Sequence, residues 1–124
     1  MSIDLSEVNY LAILIGGILY ILYGAIYYSI VVGKENEKNG ALKYIISVIV
    51  AFISSTFIAL LVQATSSNSL FEGAAVGSTI GIVISIVYLK NTLFGLINKK
   101  NCLIAIGDHL IIFTLLGALH GLFV

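Results

Sequence analysis

The sequence predicts an all-α polytopic membrane protein, four transmembrane helices arranged as an antiparallel bundle in a single domain over residues 1–124. Three observations carry that prediction. Apolar residues make up 60 % of the chain and charged residues 10 %, against roughly 45–50 % and about 25 % in soluble proteins. A chain this short cannot hide so many apolar side chains from water, whereas hydrocarbon accommodates them. The apolar residues gather into four runs nearly free of charge. All six basic residues are lysines, and they fall in two clusters: Lys34, Lys38 and Lys43, then Lys90, Lys99 and Lys100.

The first span is expected at about 8–32, because Val8 to Gly33 carries no charge. Asp4 and Glu7, rather than lysines, precede it, and no small-residue cleavage site follows a short core. The run therefore reads as a retained spanning helix, not a signal peptide. A polar turn with glycine at each end, Gly33 to Gly40, leads to the second span at about 44–65. A crossing takes about 20 residues, so these two have length to spare and are expected to tilt. Thr65-Ser66-Ser67-Asn68-Ser69 is short and uncharged, as suits a hairpin between antiparallel neighbours.

The third span, about 70–90, has a shorter charge-free stretch from Gly73 to Leu89. Leu70 and Phe71 extend it, while Glu72 and Lys90 reach toward headgroups. Residues 91–98 include Leu93, Phe94, Leu96 and Ile97, which suits a helix continuation or a piece lying in the interface. The fourth span, about 102–124, is interrupted only by Asp108. Barrel strands would alternate over segments of about ten residues; these runs are long and apolar all round.

Four crossings place both lysine clusters on one side. The other side holds both termini, the serine-rich hairpin, Asp4, Glu7 and Glu72, and no lysine. Cytoplasmic loops are enriched in Lys and Arg, so the lysine loops are expected in the cytoplasm and both termini outside a plasma membrane. The lipid bilayer is the expected partner. A formal net charge of zero gives no footprint for nucleic acid. The lone Cys102 excludes an intramolecular disulfide and a paired-cysteine redox centre, and it is read as inert.

Small residues let membrane helices approach closely. Gly73, Gly77, Gly81 and Ser85 recur every four residues along the third span, and Ser47, Ala51, Ser55 and Ala59 do so along the second, ending at Gln63. The hairpin would bring these two stripes level, so they are expected to face each other. Gly117 and Gly121 form a small-residue step in the fourth span, with Gly107 and Thr114 nearby, and Gly17 and Gly24 lie two turns apart in the first. Contact within one chain is the expected use of these stripes; contact in a homo-oligomer is the competing one. With no proline in the chain, kinks would have to arise at pairs such as Gly16-Gly17.

The candidate polar or ion site is Asp108, His109, Tyr23 and Tyr27. An aspartate at mid-membrane costs on the order of 2.5–3.5 kcal/mol, so Asp108 must be neutralised, paired or wetted. Tyr23 and Tyr27 of the antiparallel first span lie at similar depth. His109 is adjacent in sequence but points about 100° away, which argues against a direct pair. One reading makes Asp108 a proton or cation site; the other makes it a hydrogen-bonding residue between helices, and the second is preferred. His109 and His120 are eleven residues apart, about 16 Å along a helix, which is too far for one metal site. His120 is expected at the outer interface, within reach of Asn9 or Gln63. Tyr27 and Tyr28 suit interface anchors, whereas the deeper Tyr20 and Tyr23 need hydroxyl partners.

Asn9-Tyr10 at the start of the first span, then Gly24-Ala25-Ile26-Tyr27-Tyr28-Ser29 and Gly33-Lys34 at its end, resemble a family of small bacterial membrane proteins, domain of unknown function 1761. Gly107-Asp108-His109-Leu110 and Gly117 are similar to that family's closing pattern. Tryptophan and proline are usual there where this chain has Tyr27 and Ile30. The resemblance implies a four-helix protein of a bacterial inner membrane and no particular chemistry.

No metal-ligand spacing, nucleophile-base set or phosphate loop occurs, so neither an enzyme nor a cofactor is expected. The leading reading is a non-enzymatic membrane protein with a role in packing, assembly or another membrane process. The rival is a small proton-linked transporter or channel using Asp108, with an ion or small molecule as substrate. Small multidrug exporters also use four helices, but depend on a glutamate within the first, and here none follows Glu7 before the first turn.

Overall fold

A computed structural model describes residues 2–33 and 40–124. It contains four helices: α1 (Tyr10–Val31), α2 (Gly40–Ala64), α3 (Leu70–Leu93) and α4 (Lys99–Leu122). No strand occurs among the described residues, and all four helices are long and apolar enough to cross a membrane. Lys43, Lys90, Lys99 and Lys100 mark one end of the bundle. Lys34, Lys38 and the rest of residues 34–39 lie outside the described residues. The opposite end carries the segment before α1, the α2–α3 hairpin and Val124.

Local chemistry sets the helix ends. Asn9 caps α1 by accepting from the Ala12 amide at 3.0 Å, and its own amide donates to the Phe123 carbonyl at 3.0 Å. That residue ties the start of α1 to the end of α4. Ser69 caps α3, accepting from the Glu72 amide, while the Glu72 carboxylate accepts from the Asn68 amide at 3.2 Å. This is a capping box shifted by one residue. Asn98 caps α4 through the Asn101 amide at 2.8 Å. Gly95 turns the chain out of α3 with φ +80°, a left-handed conformation that suits glycine.

The ends differ from the charge-based expectation. Helix α2 starts at Gly40 instead of about 44, α3 runs on to Leu93, and α4 starts at Lys99 instead of about 102. Lysines mark where hydrocarbon ends, but a helix stops where a cap or turn stops it. Lysine stems let the helix continue into the headgroup layer. The 91–98 segment is accordingly divided between the last turn of α3 and a tight connection; Leu93 at the end of α3 and Phe94 and Leu96 of the connection are exposed at the lysine end.

Helices α3 and α4 make the closest pair, α1 packs on α2 and α4, and α2 and α3 barely touch although consecutive. The glycine stripe of α3 thus faces α4, not the stripe of α2. A Cβ at Gly73 would overlap the Gly117 carbonyl, one at Gly77 the Phe113 carbonyl, and one at Gly117 the Gly73 carbonyl. A Cβ at Gly81 would sit 3.0 Å from the His109 carbonyl oxygen, and one at Gly121 would overlap the Ser69 carbonyl. Glycine meets glycine along this seam, so the axes come nearer than alanine or serine would permit.

On α2, Ala51, Ser55 and Ala59 are buried, with Ser55 against Gly16 of α1. Ser47 is exposed and bonds its own helix at the Lys43 carbonyl; Ser85, half-buried, does the same at Gly81. Gly24 has open space around it. The buried apolar cluster is Ile58, Val62, Ile112, Phe113 and Leu116, set between α2 and α4. Most other large apolar side chains point outward, Leu14, Leu22 and Ile26 on α1 among them. The bundle is a multi-pass membrane protein with a small core and an apolar exterior.

Candidate functional site

Asp108 lies nine residues into α4, roughly 13 Å from its start, and is 7 % exposed. Its Oδ2 accepts a 2.7 Å hydrogen bond from the hydroxyl of Tyr28. The sequence pointed to Tyr23 and Tyr27 as partners, and both lie in the same layer without bonding the carboxylate. The Tyr27 hydroxyl donates instead to the Ile104 carbonyl at 2.8 Å. Gly107 makes room for it, since a Cβ there would be 2.7 Å from that oxygen. The position of Tyr28 near the helix end suits an interface anchor, yet a tyrosine spans several ångströms from Cα to hydroxyl and can reach round the helix. The residue is 40 % exposed while its hydroxyl turns inward to Asp108.

The Tyr23 ring stacks on Tyr27 with centroids 5.6 Å apart, and its hydroxyl is buried with no hydrogen-bond partner among the described residues. His109 lies between the rings of Tyr88 and Phe113, at 5.3 Å and 6.2 Å. Its Nδ1 is 2.7 Å from the Ala105 carbonyl. A carbonyl only accepts, so Nδ1 carries the proton. That nitrogen is 3.9 Å from Asp108 Oδ2, beyond hydrogen-bonding range. Asp108 and His109 are neighbours without forming a dyad, in keeping with their helical angle.

A second polar contact lies nearer the other end, and it corrects the placement of His120. That residue is 4 % exposed, not interfacial, and its Nε2 is 3.0 Å from Ser55 Oγ. Ser55 also donates to the Ile13 carbonyl at 2.9 Å. A hydroxyl has one proton, so Nε2 must be the donor to Ser55. Gly16 permits the contact, because a Cβ there would overlap Ser55 Oγ and stand 3.1 Å from Nε2. The partners expected for His120 are otherwise engaged. Asn9 holds Phe123, and Gln63 exchanges two hydrogen bonds with the backbone of Asp4, at 2.8 Å and 2.9 Å. Tyr20 packs edge-on against Phe113, 6.3 Å between centroids.

Asp4 itself is exposed. The Ser6 hydroxyl and amide bond its carboxylate at 2.6 Å and 3.0 Å and hold its pKa below the ordinary aspartate value. Among the described residues no three His, Cys, Asp or Glu side chains gather as a metal site, and Cys102 is a buried free thiol.

Residues 11–121 match the model of a protein family described as protein of unknown function (DUF1761). No curated protein and no solved structure matches the chain.

Proposed function

This chain belongs to the DUF1761 family, and on that premise we propose that it is a non-enzymatic integral membrane protein whose intramembrane polar groups fasten the bundle together. One observation carries the reading: Asp108 is engaged by the Tyr28 hydroxyl at 2.7 Å, on a helix held backbone to backbone against α3. A carboxylate so held links α1 to α4. The α3–α4 glycines are consumed inside one chain, which supports packing within the molecule over homo-oligomer contact. The lysine distribution supports a plasma-membrane orientation with the lysine end in the cytoplasm and both termini outside.

The test is proton flux into proteoliposomes beside thermal unfolding in detergent, for wild type, Asp108→Asn and Tyr28→Phe. Tyr28→Phe should lower stability by about 1–3 kcal/mol, the range for a hydrogen bond to a charged or buried group, and wild-type flux should equal that of empty liposomes. Flux through wild type that Asp108→Asn abolishes in a folded protein would replace this proposal with proton-linked transport. That second reading draws on the Tyr23 hydroxyl, buried and unpartnered in the same layer.

A further inference from the structure

The geometry points to the cavity at the terminal end of the bundle as a binding site for an organic ammonium group. The cavity measures about 480 Å³ and lies between the segment before α1, the last turns of α2 and α4, and the hairpin. Small-molecule pockets run from about 300 to 1,000 Å³ and join apolar walls to a few polar groups. Val62 and Phe123 supply apolar wall. Two side chains of the lining are both polar and deeply buried, His120 at 4 % exposed and Ser67 at 5 %.

The placement of protons gives these two groups one character. Ser55 spends its proton on Ile13, so His120 donates through Nε2, and a neutral imidazole then bears a lone pair on Nδ1. That nitrogen has no hydrogen-bond partner among the described residues. Thr65 spends its proton on the Leu61 carbonyl at 2.8 Å, so Ser67 donates to Thr65 across 2.9 Å and offers the cavity only lone pairs. Glu7 adds a carboxylate to the lining, which contains no lysine. Acceptors and a negative charge select a donor with a positive charge. An ammonium supplies three N–H groups on one centre, and a short apolar body would lie against Val62 and Phe123. The ammonium has two chemical sources, a free amine or the ethanolamine headgroup of a phospholipid in the adjoining leaflet.

Full-length protein with ¹⁵N-labelled histidine, purified in an amine-free buffer and detergent, reports directly on Nδ1 of His120, assigned by comparison with His109→Gln. Butylammonium should move that resonance saturably, and tetramethylammonium, with the same charge and no N–H, should not. Glu7→Gln, at an exposed position, should weaken butylammonium binding by roughly 2–5-fold, the scale of an exposed ion pair. In nanodiscs of phosphatidylethanolamine, a displaced resonance without added amine identifies the headgroup as occupant. A resonance that moves only on adding butylammonium identifies a free amine. Equal response to tetramethylammonium overturns the inference, as does an unresponsive Nδ1 in both detergent and phosphatidylethanolamine discs. Neither result depends on the role of Asp108.

Discussion

Ser55 has one hydroxyl and two partners, and it is the residue on which α1, α2 and α4 meet. Ser55→Ala removes the bond to Ile13 and strands the Nε2 proton of His120, so it should cost about 1–3 kcal/mol in thermal unfolding. Replacing His120 by leucine in that background should recover part of the loss, because no donor is then left unmet. A loss of stability that simply adds in the double variant would mean the two side chains do not interact. At the exposed Asp4, the folded pKa lies below the ordinary value of 3.8. The stabilisation is thus present above the unfolded pKa and lost as pH falls through the folded one. Protection of the Ser6 amide, relative to its intrinsic exchange rate, should fall only in acid below the ordinary aspartate range, and Asp4→Asn should abolish that acid-dependent loss.

Between helices, the α3–α4 seam is the least tolerant contact. Gly77→Ala sets a methyl group against the Phe113 carbonyl, and neither backbone can yield without separating the pair. Overpacking of this kind costs about 1–3 kcal/mol. Gly24→Ala meets nothing within 4 Å and removes a flexible residue from a helix interior, so it should raise stability by roughly 0.5–1 kcal/mol. Unfolding midpoints of the two variants in one detergent should move in opposite directions. Equal tolerance of alanine at both positions would show that α3 and α4 are not in backbone contact.

For the whole molecule, orientation is the testable consequence of the lysine clusters. In a Cys102→Ser background, Ser66→Cys should react with a membrane-impermeant maleimide added to intact cells, and Lys100→Cys should react only after permeabilisation. The reverse pattern would invert the protein in the bilayer. An apolar exterior and a small core mean that much of the apolar surface is covered by lipid, so burial inside the bundle contributes less than in a soluble domain. Close packing and the few interhelical hydrogen bonds, Tyr28 to Asp108 and His120 to Ser55 among them, must hold the helices together.

The number of crossings, their approximate limits and the membrane setting were legible in the residues, because hydrocarbon demands long stretches without charge. Asp108 and its tyrosine-rich layer were also legible, since a carboxylate in such a stretch stands out. Which faces meet was decided by the tertiary structure alone. In water, the buried side of a helix is marked by apolar residues on one face; in lipid every face is apolar, and the inward side carries little mark. Glycine spacing therefore revealed the stripe on α3 but not that its partner is α4, adjacency in sequence across one hairpin being a poor guide to which helices pack together. For the same reason, only the rotation of α1 against α4 could give Asp108 to Tyr28 and turn His120 inward to Ser55.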